Sequence, residues 1–330
     1  MWQVVGHETA VALLDNSLKG GNLSHAYLLV GPPHVGKMTL ALNLAQALNC
    51  QGDQQPCGTC TSCQRIAGLR HADIQVIGLD GRAEIGIDQI REMERSVTLK
   101  PFEGRNRVFI IDGAEHLSTE AANCLLKTLE EPPPNVQLML LAANELLLLP
   151  TVRSRCQKLE LRPLPIPVVE RALIEHWEAA PEQAMVLARL SSGCLGWAVG
   201  AFHDDRITDE RAARLGALLQ LTSVGRAERF AYATQLASQF SKNRGAVREV
   251  LSLWVGWWRD LLLIKGGCRD FITNIDQEAT LNNEAENYHL TGIKGFIESL
   301  QQAVEALGQN ANPRLVLEVL MLNIPQREGG

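Results

Sequence analysis

Apolar runs and amphipathic periods alternate through the first half of this chain. The stretch HAYLLVG, residues 25–31, is an unbroken apolar strand that runs into a glycine-rich loop, and KMTLALNLAQALN, residues 37–49, then carries the spacing of a helix. Upstream, Val11 to Lys19 reads as a short amphipathic helix stopped by Gly20-Gly21-Asn22. Downstream come a short strand (DIQVIG), a helix over about Asp88 to Thr98 and a buried strand (RVFIID). A helix (TEAANCLLKTLEE) follows, halted by Pro132-Pro133-Pro134, and then another buried strand (VQLMLLAAN). Strands with no polar face, separated by helices, indicate a parallel sheet covered on both sides. The sheet region closes near Leu161, and Pro163, Pro165 and Pro167 form a connector.

Beyond that connector every pattern is helical. Residues from Val168 to about His203 predict two or three short helices, and NRGAVREVLSLWVGWWRDLLLIK and PRLVLEVLMLN predict longer ones. Trp254, Trp257 and Trp258 stand at i, i+3 and i+4 among leucines, a core or interface stripe. The expectation is an α/β domain with a parallel sheet over 1–162, a small helical domain over 163–205 and an all-α domain over 206–330.

A chain of 330 residues has room for two or three such domains. Its formal net charge of −6 argues against nucleic-acid binding by overall charge, which needs clustered Lys and Arg. No apolar run is long enough to span a bilayer, and MWQVVGHETA lacks the blocks of a signal peptide, so a cytoplasmic protein is expected. Eight cysteines in such a chain point away from structural disulfides.

Four of them, Cys50, Cys57, Cys60 and Cys63, crowd into CQGDQQPCGTCTSC. Four thiolates make the closed tetrahedral shell of a structural Zn²⁺ site, with Gly52, Pro56 and Gly58 permitting the turns. Cys124, Cys156, Cys194 and Cys268 are scattered and read as small buried apolar residues.

The glycine-rich loop is GPPHVGKMT. Gly31, Gly36 and Lys37 match a phosphate-binding loop, but Met38 occupies the position of the Mg²⁺-binding hydroxyl. A thioether is a poor ligand for a hard cation. Either Thr39 substitutes from one residue on, or the loop holds nucleotide without working on it. Asp112 ends the next buried strand as a metal-holding Asp would, yet Gly113 follows it where a water-orienting Glu belongs, and Glu115 lies two positions beyond. The tripeptide Ser154-Arg155-Cys156 directly before a strand is unusual, although two arginines there, Arg153 and Arg155, could simply be solvated.

Taken together, GPPHVGK, the four-cysteine insert, LLKTLEEPP and SRC resemble the clamp-loader branch of the AAA+ ATPases, across essentially the whole chain. NPRLVLEVLMLNI is similar to the last helix of the collar domain in that branch. The resemblance implies an AAA+ P-loop domain, a helical lid domain and a helical collar that assembles a ring-like pentamer. It makes Asn144 the polar residue expected at the end of the next strand and Arg155 an arginine finger for a neighbouring subunit's ATP. It places Gly196, in GCLGWA, where ATPase members carry a nucleotide-sensing arginine. Loss of the hydroxyl, the carboxylate and the sensor arginine implies a non-hydrolysing stator that binds ATP or ADP weakly or not at all, with Mg²⁺ doubtful. The implied partners are the gamma/tau ATPase subunits, the delta subunit, the sliding clamp and, through the assembled complex, primer-template DNA. Two other readings compete. One is an active clamp-loader ATPase in which Thr39 and Glu115 have taken over, and the other is a free-standing zinc-containing nucleic-acid binder, which the acidic balance disfavours.

Overall fold

Strand β1 (Ala26–Val30) is buried along its entire length because neighbours pair with both of its edges and helices cover both of its faces. The computed structural model describes residues 2–309 and 311–327. Helix α1 (Glu8–Lys19) precedes β1, and then come α2 (Lys37–Asn49), α3 (Thr61–Ala67), β2 (Ile74–Ile77), α4 (Ile87–Val97), β3 (Arg107–Asp112), α5 (Thr119–Glu130), β4 (Val136–Ala142), α6 (Pro150–Arg153) and β5 (Gln157–Glu160). The five strands form one parallel sheet in the order β2-β3-β4-β1-β5. Alternate residues of β1 serve opposite cores: Ala26, Leu28 and Val30 face the side of α4 and α5, whereas Tyr27 and Leu29 face α1 and α2. This two-sided burial is why the strands read as uninterrupted apolar runs.

The strand ends carry the loops that matter. Immediately after β1, Gly31 meets the segment leaving β5 so closely that a Cβ there would lie 2.2 Å from the Leu161 carbonyl oxygen. Only glycine fits without moving backbone. Gly31→Ala is therefore expected to destabilise the chain by about 3 kcal/mol, read as a lower midpoint in urea unfolding. An unchanged midpoint would show that the β1 and β5 ends can part freely.

The chain divides into two compact units, Met1–Val168 with Cys194–Gly196, and Val169–Gly193 with Trp197–Gly330. Helix α7 (Ile166–Trp177) begins before Pro167, so that proline belongs to a first helical turn, where its missing N–H costs nothing, and the connector is correspondingly shorter than the proline pattern predicts. Three short helices are present, as expected: α7, α8 (Pro181–Leu190) and α9 (Leu195–His203). Four longer ones follow, α10 (Arg206–Ser223), α11 (Arg226–Lys242), α12 (Arg244–Lys265) and α14 (Leu290–Gly308), with the short α13 (Glu278–Glu286) before α14 and the short α15 (Pro313–Leu322) after it.

Trp254, Trp257 and Trp258 of α12 are fully buried in the core of the second unit, where Trp258 makes edge contacts with Tyr288 and Phe296. Leu317 is buried with them. Those stripes are therefore consumed inside the chain. The apolar side that α15 leaves in solvent is a different one, Leu315, Val319 and Leu322, each more than half exposed and spaced i, i+4, i+7. Among the described residues no helix is long and apolar enough to cross a membrane.

Candidate functional site

The loop from β1 to α2 opens a cleft of about 410 Å³. Gly36 takes φ +112° at the helix entry, a conformation that favours glycine and aims the first N–H groups of α2 into the cleft. Lys37, Met38, Thr39, Asp112, Gly113, Glu115 and Gly196 all line it. Sequence-predicted Gly36, Lys37, Thr39 and Asp112 are thus brought together. Gly31 adjoins them through its carbonyl. Asn144 stands outside the lining, exposed, with its side chain accepting the Leu146 N–H at 2.9 Å to cap a single 3-10 turn.

The Lys37 ammonium is turned inward, donating to the carbonyls of Gly31 at 2.6 Å and Pro32 at 2.8 Å. Burial pushes its pKa below the ordinary lysine value, while Glu115 and then Asp112 act in the opposite direction. Asp112 remains open to solvent at the cleft mouth, yet the enclosing walls raise its carboxyl above the usual range, and Lys37 opposes that shift. Gly113, at φ +74°, starts a one-turn helix over Ala114–His116 that swings Glu115 back to the cleft. There one Glu115 oxygen accepts the Ala143 N–H at 2.9 Å, and the other, Oε2, is buried without a partner.

Gly196 donates its N–H to the His34 carbonyl at 2.9 Å, and a Cβ on Gly196 would sit 2.8 Å from that same oxygen. The packing of the loop therefore favours glycine at position 196. Sequence reasoning missed a second brace: the His7 ring donates from Nε2 to the Val35 carbonyl at 2.9 Å, while Asn43 accepts the N–H groups of Gln3 and Val4. No motif marks His7, and only the fold carries the N-terminal segment to the loop.

The sulfur atoms of Cys50, Cys57, Cys60 and Cys63 lie within 4.8 Å of one another, and Cys57 and Cys63 are 3.9 Å apart. Tetrahedral Zn–S bonds of about 2.3 Å place sulfurs roughly 3.8 Å apart, so the cluster has the dimensions of a metal shell. Amide N–H groups point at the sulfurs, Cys57 and Gly52 at Cys50, Cys60 at Cys57, and Cys63 at Cys60. Those donors stabilise thiolate and hold the Cys57 thiol down to about 5, whereas burial pushes Cys63 up to about 12. A bound cation would reverse that burial penalty. These four residues can hold one metal ion. Of the scattered cysteines, Cys124, Cys156 and Cys194 are partly buried, but Cys268 is exposed, contrary to expectation.

Ser154, Arg155 and Cys156 divide their tasks. The Ser154 hydroxyl donates to the Thr151 carbonyl, closing the turn after α6, and Cys156 packs inward against the sheet core. Arg155 is left pointing outward between them, 2.7 Å from Glu130 at the end of α5. Glu130 is a second residue that the motif reading passed over.

Family comparisons match two segments of the chain. A family described as DNA polymerase III, delta subunit, covers residues 6–165, and one described as DNA polymerase III, delta subunit, C terminal, covers residues 209–326. DNA polymerase III subunit delta' of Bacillus subtilis (strain 168) is 29% identical over 315 residues, covering 95% of this chain and 94% of the relative. DNA polymerase III subunit gamma/tau of Mycobacterium bovis is 40% identical over 174 residues, covering 52% of this chain but 30% of the relative. Among solved structures, a DNA polymerase III gamma subunit-related protein from Thermotoga maritima covers 94% of this chain and 98% of its own, at 17% identity and a TM-score of 0.46.

Proposed function

The chain belongs to the delta-prime family of bacterial DNA polymerase III clamp-loader proteins, and from that premise we propose that it is a non-hydrolysing stator of the loader. The observation that carries this reading is the state of the cleft. Met38, Gly113 and Gly196 replace the hydroxyl, the carboxylate and the sensor arginine, all three line one cavity, and Lys37 is committed to its own loop. Each loss removes stabilisation of a transferring phosphoryl group. The remaining N–H groups and Lys37 could hold a nucleotide's phosphates weakly, and without a hydroxyl at position 38 the site has little hold on Mg²⁺.

In this reading the chain works in the cytoplasm and assembles with gamma/tau ATPase subunits and with delta. The exposed Leu315, Val319 and Leu322 of α15 supply an apolar collar contact. Through the assembled complex it helps place the sliding clamp on primer-template DNA. Arg155 acts in trans on a neighbour's ATP, and the four-cysteine shell holds a structural Zn²⁺. The division into a P-loop domain over 1–162, a lid over 163–205 and a collar over 206–330 belongs to the same proposal.

One observation favours a second reading, an active ATPase. The unpartnered Glu115 oxygen belongs to a cleft-lining side chain near Lys37 and could orient a water. ATP turnover separates the two. The purified chain is expected to hydrolyse no more ATP than its Lys37→Ala variant, with or without DNA. Turnover that Lys37→Ala or Glu115→Gln abolishes would replace the stator by the ATPase.

A further inference from the structure

We propose that Glu130 is the resting partner of Arg155, a positioning residue that holds the finger on its own subunit until a neighbour's nucleotide phosphate displaces the carboxylate. The inference rests on the trans-acting reading of Arg155 given above. Nη2 of Arg155 lies 2.7 Å from Glu130 Oε1, while Nη1 donates to the Thr151 carbonyl at 3.0 Å, so both arms of the guanidinium are engaged. Among the described residues, Glu130 is the only carboxylate paired with Arg155.

Both partners are firmly rooted. Glu130 is the last residue of α5, separated by Glu131 alone from three consecutive prolines, and Arg155 stands where α6 turns into β5 with Cys156 anchored inward. A carboxylate at a helix C-terminus faces the negative end of the helix dipole, so Glu130 is poorly placed for α5 and well placed to attract a cation. The pair is half-open to solvent, with side chains 36% and 51% exposed. Such solvent-open pairs contribute little, while a guanidinium bound to phosphate through two N–H groups is stronger. The exchange from carboxylate to phosphate is therefore downhill, and the carboxylate left behind regains water.

The experiment uses the reconstituted loader carrying Glu130→Gln, which keeps the shape and removes the charge. At the site facing this subunit, ATPase without DNA is expected to rise about two- to fivefold, so the total rate rises by that site's share, while the DNA-stimulated rate stays near wild type and the stimulation ratio falls. Glu130→Asp is expected to restore part of that ratio, and Glu130→Gln is expected to change nothing once Arg155→Ala is present. If Arg155→Ala alone leaves turnover and loading unaltered, the trans reading fails and the latch fails with it. If Arg155→Ala lowers them but Glu130→Gln matches wild type with and without DNA, the finger stands and the latch is overturned. A Glu130→Gln effect that persists in the Arg155→Ala background also overturns it, since that marks a structural role at the end of α5.

Discussion

Arg155→Ala in a reconstituted loader is expected to assemble normally, to lower DNA-stimulated ATP turnover and to impair clamp loading more severely. At a single phosphoryl-transfer site, removing a finger costs about 10³–10⁵ in rate, or roughly 4–7 kcal/mol of barrier. Only the site facing this subunit loses its guanidinium, so total turnover should fall by about that site's share. Clamp loading needs the sites to act within one cycle, and it should fall by about tenfold or more. Arg162→Ala is a fair control, because Arg162 is exposed and, among the described residues, its one ion pair is with its near neighbour Glu160. Arg155→Lys separates charge from shape, since an ammonium lacks the planar fork, and a rate no better than that of alanine would assign the effect to the fork. Normal turnover and normal loading by Arg155→Ala would remove the trans role altogether.

The second large effect is expected at the cysteine shell. Protein purified without chelator should carry one zinc, and a strong chelator or the pair Cys57→Ser with Cys60→Ser should remove it. Coordination contributes about 10–16 kcal/mol apparent in isolated zinc fingers, but this insert is tied to a larger domain, so the loss should appear mainly as local opening. Helix α3 reports it directly. Cys60 caps its first turn by accepting the Cys63 N–H, Cys63 is fully buried, and the Gln46 amide donates to the Cys63 carbonyl at 2.9 Å. Protease cleavage and amide exchange should rise across residues 51–67 while the sheet strands stay protected. Four titratable thiols with no bound metal, in protein that resists protease there, would reject the metal site.

The strands were legible because burial on both faces leaves few polar positions to obscure them, as the apolar centres of β1, β3 and β4 illustrate. The phosphate loop and the cysteine shell were legible because each is local, with its chemistry contained in a few consecutive residues. What stayed hidden was set by long-range contact or by backbone conformation that no residue pattern spells out. Periodicity placed Trp254 and Leu317 on apolar faces but could not say that the chain itself covers them, leaving Leu315 and Val319 outside. Spacing put Glu115 too far from Asp112, whereas the left-handed turn at Gly113 brings it back. The resemblance expected a polar residue at Asn144, and the local geometry uses its side chain to accept the Leu146 N–H as a cap. No pattern linked Glu130 to Arg155 across 25 residues, because a helix end and a loop meet only once the sheet is built.

The strand order also dictates a timetable during synthesis. Strand β1 is complete at residue 30, but its two partners begin at residues 136 and 157. At a ribosomal pace of roughly 5–20 residues per second, the first apolar strand waits about 5–21 s for β4 and about 6–25 s for β5. Parallel pairing across such separations is slow in any case. The cysteine shell has no such wait, since its four ligands emerge within fourteen residues. An early metal-bound knuckle would give the nascent chain a fixed point beside α2 while the sheet is still missing its middle. Expression under zinc limitation would then reduce the yield of soluble protein more than it reduces the stability of protein already folded.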